Sequence, residues 1–146
     1  MEAVLIVDDT PCVLEFLRRV LIIEGYTVLT ASNSPEAVYA AARWQDRIDL
    51  LITDVALPGG TCTPLVLRLC SQRPSLKALY ISGHSRDVVA ELGVRSDAFF
   101  LQKPFLPAKL TQAVRQVLDG PRKGLPECFA TAARPVARRR CTAGAG

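Results

Sequence analysis

The segment Ala3-Val4-Leu5-Ile6-Val7-Asp8-Asp9 holds the pattern that decides the fold. Its five consecutive apolar residues are typical of a strand that is buried on both faces, as the strands of parallel sheets are. Three more largely apolar runs end at a polar residue in the same way: Leu50 to Thr53 before Asp54, Leu79 to Ile81 before Ser82, and Phe99 to Gln102 before Lys103.

The polar residues after these strands are predicted to lie close together. All strands of a parallel sheet point the same way, so the residues just past them gather along one edge, where open α/β sheets bind their ligands. Three carboxylates, one hydroxyl and one ammonium group are therefore expected to meet in one crevice: Asp8, Asp9, Asp54, Ser82 and Lys103.

Helical patterns alternate with the strands. A capping residue followed by proline, typical of a helix start, occurs at Thr10-Pro11 and Ser34-Pro35, and Thr63-Pro64 starts a third helix. Further helices are predicted from about Ser85 to Leu92 and from Pro107 to about Leu118, and a further strand from Tyr26 to Ala31. Five β-α units predict an α/β fold with a doubly wound, five-stranded parallel sheet and helices on both faces.

Charge is unevenly distributed along the 146 residues. Residues 1–120 carry 12 basic and 13 acidic side chains, whereas residues 121–146 carry 6 and 1, so the net charge of +4 comes from the C-terminal end. Apolar periodicity also stops beyond Gly120. We therefore expect one domain over 1–120 and a basic, disordered tail over 121–146.

The basic tail has several interpretations. A cluster of arginines attracts phosphate groups without sequence preference, so the tail could anchor a nucleic acid or another polyanion. A solvated charge run and a cloning or frame-shift remnant are the alternatives. No specific nucleic acid is expected as a partner.

Cysteine usage and the N-terminal sequence bear on the compartment. Five cysteines without a C-x-x-C pair and a single histidine do not form a structural zinc site, and free thiols are typical of a reducing compartment. No stretch has a signal peptide's apolar core or the roughly 18 apolar residues of a membrane span. We expect a cytoplasmic protein without membrane attachment.

The residues along the predicted sheet edge carry a resemblance to a known family. The motifs are Val7-Asp8-Asp9, Asp54 with Leu57-Pro58-Gly59-Gly60, Ser82-Gly83-His84, and Lys103-Pro104-Phe105. With them the chain resembles, over residues 3–119, the receiver domains of bacterial two-component response regulators, most closely those fused to or serving hybrid histidine kinases. The expected sheet is then flavodoxin-like, with strand order 2-1-3-4-5.

The resemblance implies a role for each site residue. Asp54 would be the phosphoacceptor, Asp8 and Asp9 the magnesium-binding acids, Ser82 the switch hydroxyl and Lys103 the lysine that pairs with phosphate. Two further implications concern the end of the fifth strand. Pro104 would follow a cis peptide bond, and Phe100 would be a switch aromatic, although a plain core phenylalanine remains the alternative.

Elementary chemistry agrees with these roles. A carboxylate can act as a nucleophile and form an acyl phosphate. Clustered carboxylates repel one another unless a cation is present, and Mg²⁺ accepts carboxylate, carbonyl and phosphate oxygens. The backbone carbonyl of Ala56 is a further candidate ligand beside Asp54. The metal and Lys103 could both stabilise charge on the transferring phosphoryl oxygens.

Two positions depart from the family pattern or add to it. Cys62-Thr63 occupy the place where the family usually carries a glycine, so a turn that needs positive φ there would strain Thr63 and the loop is expected to take another path. His84, two residues after Ser82, could orient a hydrolytic water.

Rival functions are disfavoured by their own motifs. A haloacid-dehalogenase-type phosphatase needs an Asp-x-Asp arrangement, and a flavodoxin needs a phosphate-cradling first loop; both are absent from Asp8-Asp9-Thr10. A pseudo-receiver, a protein-binding adapter with the same fold but no phosphorylation, is the serious alternative.

We therefore predict a single-domain response regulator rather than a turnover enzyme. It accepts a phosphoryl group from a histidine kinase or histidine phosphotransfer protein onto Asp54 with Mg²⁺, and it catalyses its own phosphorylation and dephosphorylation. Its signal is expected to pass by changed protein contacts, to a downstream target or a second copy, through the face of the fourth helix, fifth strand and fifth helix.

Overall fold

The computed structural model describes residues 2–121. Its elements, in chain order, are β1 (Ala3–Val7), α1 (Pro11–Ile23), β2 (Thr27–Ala31), α2 (Ser34–Arg43), β3 (Leu50–Asp54), β4 (Ala56–Leu57), β5 (Gly60–Thr61), α3 (Thr63–Gln72), β6 (Lys77–Ser82), α4 (Arg86–Glu91), β7 (Phe100–Gln102) and α5 (Pro107–Asp119). The predicted tail lies outside the described residues, apart from Pro121, as do Cys128 and Cys141.

The main sheet has the predicted topology. Five parallel strands lie in the order β2-β1-β3-β6-β7, which is the order 2-1-3-4-5 when the short strands β4 and β5 are set aside. The chain moves outward from β1 on one side to β2 and on the other to β3, so strand order reverses beside β1. The carboxyl ends of β1 and β3 are adjacent there, with Val7 opposite Thr53.

Two hydrophobic clusters cover the two faces of the sheet. Along β1, Leu5 and Val7 belong to one cluster while Val4 and Ile6 belong to the other, because successive strand residues point to opposite faces. Buried residues of α2, α3 and α4 complete the first cluster, and those of α1 and α5 complete the second. Helices therefore lie on both faces, as predicted.

The start of α2 differs from the prediction by one residue. Asn33, rather than Ser34, is the cap, and its Oδ1 accepts a hydrogen bond of 2.8 Å from the Glu36 N–H. The Glu36 carboxylate in turn accepts bonds from the Ser32 N–H and hydroxyl at 2.9 and 2.8 Å. This reciprocal arrangement satisfies backbone N–H groups that the first helical turn leaves unpaired, which favours the earlier start.

The loop after β3 forms a short hairpin that the sequence pattern did not predict. β4 and β5 pair in antiparallel fashion, and the positive φ angles of the turn fall at Gly59 and Gly60, at 92° and 147°. Cys62 has an ordinary helical φ of −75°, and Thr63 begins α3. Thr63 therefore carries no strain from a left-handed conformation.

None of the helices within residues 2–121 is long and apolar enough to cross a membrane. The described cysteines are free thiols, with Cys12 exposed and Cys62 and Cys70 buried.

Arg73, at the end of α3, makes hydrogen bonds to the end of α2. The Arg73 guanidinium donates hydrogen bonds to the carbonyl oxygens of Ala41 (2.9 Å), Trp44 (2.7 Å) and Asp46 (2.9 Å). The last carbonyls of a helix lack partners within the helix, so these bonds satisfy groups that would otherwise need water. Arg73 is therefore a long-range cap for α2.

Replacing this arginine should lower stability. Arg73→Ala is expected to reduce the free energy of unfolding by about 2 kcal/mol, because hydrogen bonds from a charged donor are lost. Urea unfolding followed by the fluorescence of Trp44, the single tryptophan, measures the change. Exposed Arg68 on α3 provides the matched control, and Arg68→Ala should stay within about 0.5 kcal/mol of the parent. Equal losses in both variants would contradict the capping role.

Candidate functional site

The predicted site residues meet at the carboxyl edge of the sheet. Asp54 and Ser82 are the last residues of β3 and β6, while Asp8 and Lys103 directly follow β1 and β7. Asp8 and Ser82 are almost fully buried, and Asp54 is 9% exposed. The sheet topology alone brings these four side chains from four separate stretches of sequence to one place.

The ammonium group of Lys103 bridges two carboxylates. Its Nζ lies 2.9 Å from Oδ2 of Asp8 and 3.1 Å from Oδ2 of Asp54. The lysine side chain is only 20% exposed, so these contacts are shielded from water more than a surface ion pair is. Both carboxylates thus have a fixed cation beside them.

The other oxygen of each carboxylate is held by the backbone. Oδ1 of Asp8 accepts a 2.8 Å bond from the Thr10 N–H at the start of α1, and Oδ1 of Asp54 accepts a longer bond of 3.3 Å from the Ala56 N–H. Thr10 is the cap residue of α1, as predicted, but its hydroxyl makes no capping bond. The orientation of both acids is therefore fixed from two sides.

Burial and the neighbouring charges raise the pKa of both Asp54 and Lys103, although burial alone acts in opposite directions on the two groups. Burial raises the pKa of Asp54, and the Lys103 contacts oppose this rise without cancelling it, while the Asp8 charge adds to it. Burial acts to lower the pKa of Lys103, but its bonds to Asp8 and Asp54 outweigh that effect and raise it. The lysine therefore stays protonated and positively charged beside the Asp54 carboxyl.

Three acids are placed so that they can hold a metal ion. One oxygen each of Asp8, Asp9 and Asp54 lies within 4.8 Å of the others, and Asp9 is exposed. In the described part of the chain no other group of at least three His, Cys, Asp or Glu side chains has this arrangement. Carboxylate oxygens open to water on one side suit Mg²⁺, which keeps several waters when bound to proteins.

Ser82 connects the site to the loop that leads into α4. Its Oγ accepts a 3.0 Å hydrogen bond from the His84 N–H, and its carbonyl accepts a 2.7 Å bond from the Lys103 N–H. The Lys103–Pro104 peptide bond is cis, which confirms the expectation from the resemblance. His84 itself is exposed at the mouth of this loop.

Phe100 is the first residue of β7 and lies three residues before Lys103. Phe99 and Phe100 pack against different hydrophobic clusters, so they point to opposite faces of the sheet. Phe100 is half-buried, and the Arg86 guanidinium covers its ring at 5.2 Å from the ring centroid.

The sequence analysis did not identify Arg86. The only local sign of its role in the sequence is its position in the first turn of a helix. A cation there is repelled by the positive end of the helix dipole, so another contact is needed to hold it.

Cys62 is a neighbour of Asp54 that takes no part in this chemistry. Burial raises the pKa of its thiol to about 12, and the negative charge of Asp54 adds to the rise. A thiol that stays protonated at neutral pH is neither a nucleophile nor a metal ligand.

Comparison with known proteins gives a consistent result. The response regulator receiver domain family matches residues 4–115. Sensor kinase CckA of Brucella abortus (strain 2308) is 30% identical over 117 residues, which cover 80% of this chain and 12% of that protein. The predicted resemblance to receiver domains is confirmed.

Solved structures agree with the family match. The chemotaxis response regulator CheY4 of Vibrio cholerae has a TM-score of 0.71 and 30% identity, covering 81% of this chain and 99% of that one. The response regulator protein TrrA from Thermotoga maritima, in complex with Mg²⁺-BeF, has a TM-score of 0.65 and 26% identity, covering 81% and 100% of the two chains.

The curated relatives are mostly longer proteins. The matched part of the chain covers between 12% and 50% of the length of four of these relatives.

Proposed function

The chain belongs to the response regulator receiver domain family, and on that premise we propose that Asp54 accepts a phosphoryl group in a reaction that depends on Mg²⁺. The observation that carries the proposal is the Lys103 ammonium between Asp8 and Asp54, at 2.9 and 3.1 Å, beside the three-acid cluster. A carboxylate nucleophile, a fixed cation and a metal-binding group of acids are the parts that phosphoryl transfer to an aspartate needs.

The proposed reaction forms one bond and breaks one. A carboxylate oxygen of Asp54 attacks the phosphorus atom of the donor, and the donor's own bond to phosphorus breaks, so that Asp54 carries an acyl phosphate. Lys103 is close enough to exchange its contact to Asp54 for a phosphoryl oxygen. The Ser82 hydroxyl can donate to a second phosphoryl oxygen.

The residues present fit a magnesium ion. Asp8, Asp9 and Asp54 would hold it, with the carbonyl of Ala56 as a further candidate because the Ala56 N–H already contacts Asp54. Bound Mg²⁺ would neutralise the developing charge on the phosphoryl oxygens. The complex of TrrA with Mg²⁺-BeF supports this proposal from a related protein.

Receiver domains are phosphoacceptors that interact with histidine kinases or histidine phosphotransfer proteins, and they are not turnover enzymes. For this chain we propose such a partner as the donor, together with self-catalysed loss of the phosphoryl group, in which His84 is a candidate to orient water. Action as a single-domain regulator and a cytoplasmic location stay predictions.

A groove beside the site is the proposed output surface. It has a volume of about 680 Å³ between the start of α4, β7 and the first turns of α5. Leu106 on its rim is 74% exposed, and Arg86 and Lys109 add two cations. We propose that a downstream protein or a second copy of the chain contacts this face after phosphorylation.

Removing the proposed phosphoacceptor should abolish labelling. Asp54→Asn is expected to give no acid-labile phosphorylation by acetyl phosphate with Mg²⁺, because an amide is not a nucleophile, while the circular dichroism spectrum stays unchanged. Asp46→Asn, an exposed acid at the opposite edge of the sheet, should be labelled like the parent. Equal labelling of the Asp54 variant would contradict the assignment and favour the non-phosphorylated adapter.

Asp9 should contribute to metal affinity rather than to nucleophilic attack. Asp9→Asn is expected to weaken Mg²⁺ binding by about tenfold or more, since one anionic ligand is lost while Asp8, Asp54 and Lys103 remain. Isothermal titration calorimetry with Mg²⁺ measures the dissociation constant. An unchanged constant, equal to that of Asp46→Asn, would remove Asp9 from the metal site.

A mimic of the acyl phosphate should mark the route of the signal. Beryllofluoride with Mg²⁺ is expected to perturb the backbone amide NMR signals of residues 82–94 and 98–109, whereas α2 stays nearly silent. α4 has a single buried residue, Val89, so displacing it costs little. Changes confined to the loops beside Asp54, with the groove unaffected, would argue for signalling through α1 instead.

A further inference from the structure

The Arg86 guanidinium connects three segments beside the site. Its Nη1 donates hydrogen bonds to the carbonyl oxygens of Ser96 (2.9 Å) and Ala98 (3.2 Å), which precede β7. Its Cζ lies over the Phe100 ring, 5.2 Å from the centroid. Arg86 itself is the first residue of α4. One side chain thus ties the helix start, the segment before β7 and the aromatic ring together.

Arg86 is also close in sequence to the hydroxyl that meets the phosphoryl group. Ser82 lies four residues earlier, and its Oγ is bonded to the His84 N–H. Ser85, the cap of α4, comes directly before Arg86. A movement of the Ser82 hydroxyl towards a phosphoryl oxygen would end its bond to His84 and displace the loop that carries Arg86.

Such a displacement would act on all the Arg86 contacts together. Hydrogen bonds weaken steeply when the donor leaves its preferred distance and angle, so a displacement of the Arg86 backbone would weaken both carbonyl contacts. The ring contact to Phe100 depends on the same guanidinium plane. The arrangement of the loop before this displacement would therefore have these contacts, and the arrangement after it would lack them.

We propose that Arg86 is a positioning residue that holds Phe100 and the segment before β7 in the unphosphorylated arrangement. Breaking its contacts frees the ring to leave its present position beside Arg86. The positioning of Phe100 rests on the observed contacts alone, whereas the coupling to phosphorylation rests on the proposed function. A contact that exists in one arrangement only biases the equilibrium between the two.

The direction of the effect follows from that bias. Arg86→Ala removes contacts of the unphosphorylated arrangement, so the ligand that favours the other arrangement should bind more tightly. An exposed guanidinium–ring contact with its hydrogen bonds corresponds to a change of about two- to tenfold in affinity. Arg86→Lys should give an intermediate effect, since an ammonium keeps the charge but not the planar fork.

The test uses beryllofluoride with Mg²⁺ and two readouts. Calorimetry is expected to show about two- to tenfold tighter beryllofluoride binding by Arg86→Ala than by the parent. NMR spectra of ¹³C-phenylalanine-labelled protein should show the Phe100 ring signals, assigned with Phe100→Leu, shifted before any ligand is added. In the Phe100→Leu background, the added effect of Arg86→Ala should shrink, because the two residues act as a pair.

A matched control is available on α2. The Arg43 guanidinium lies 5.4 Å from the centroid of the Tyr39 ring, a contact of the same kind on a different face. Arg43→Ala should leave both the beryllofluoride affinity and the Phe100 signals unchanged. A general loss of stability would not tighten ligand binding, so tighter binding separates positioning from a merely structural role.

The contrary outcomes are distinct. Unmoved Phe100 signals, or unchanged or weaker beryllofluoride binding in Arg86→Ala, would overturn the proposal for Arg86. If the parent protein bound no beryllofluoride at all, the proposed function and the coupling would both fail. The Phe100 signals of Arg86→Ala against Arg43→Ala would still decide the positioning itself.

Discussion

The site depends on the contacts that the Lys103 ammonium group makes with the carboxylates of Asp8 and Asp54. Asp8 is fully buried and Asp54 nearly so, and a cation between two carboxylates so placed offsets their mutual repulsion and their loss of water. Lys103 directly follows the edge strand β7, and β6 lies between β7 and β3. Its long side chain must therefore extend over the end of β6 to reach Asp54. Its backbone N–H also donates a hydrogen bond to the carbonyl of Ser82, the last residue of β6. One residue thus fixes the charge balance and the relative placement of three strand ends.

Much of the fold follows from patterns that are local in the sequence. Continuous apolar runs such as residues 3–7 are typical of strands buried on both faces of a parallel sheet, and their alternation with helical patterns made the architecture predictable. Element ends were less so, because they depend on individual hydrogen bonds. The reciprocal bonds of Asn33 and Glu36 moved the start of α2 by one residue. The two-residue strands β4 and β5 are too short to show any periodicity, although Gly59-Gly60 supplies the turn conformation that they need.

Some residues of the candidate site were likewise predictable from the sequence, whereas others were not. Residues that follow strands were predictable as a group, because parallel strands deliver them to one edge whatever the loops do. The opposite directions of Phe99 and Phe100 follow from the two-residue period of a strand. Arg86 was not predictable, since its partners are backbone carbonyls of residues 96 and 98, and a carbonyl has no residue type by which the sequence could show it.

The contacts of two arginines support the proposal that a change at the sheet edge is transmitted to one side of the molecule. Arg73 donates to three carbonyls at the end of α2, a helix that also buries Ala37 and Ala41 in the core. Arg86 donates to two carbonyls from an exposed position on a helix with one buried residue. In the proposed reaction, charge added at Asp54 would act on Lys103 and Ser82, and of these Ser82 leads directly into the weakly anchored helix. Because elements with few buried contacts rearrange at the lowest free-energy cost, we propose that the response is directed to α4 and β7 while α2 keeps its place.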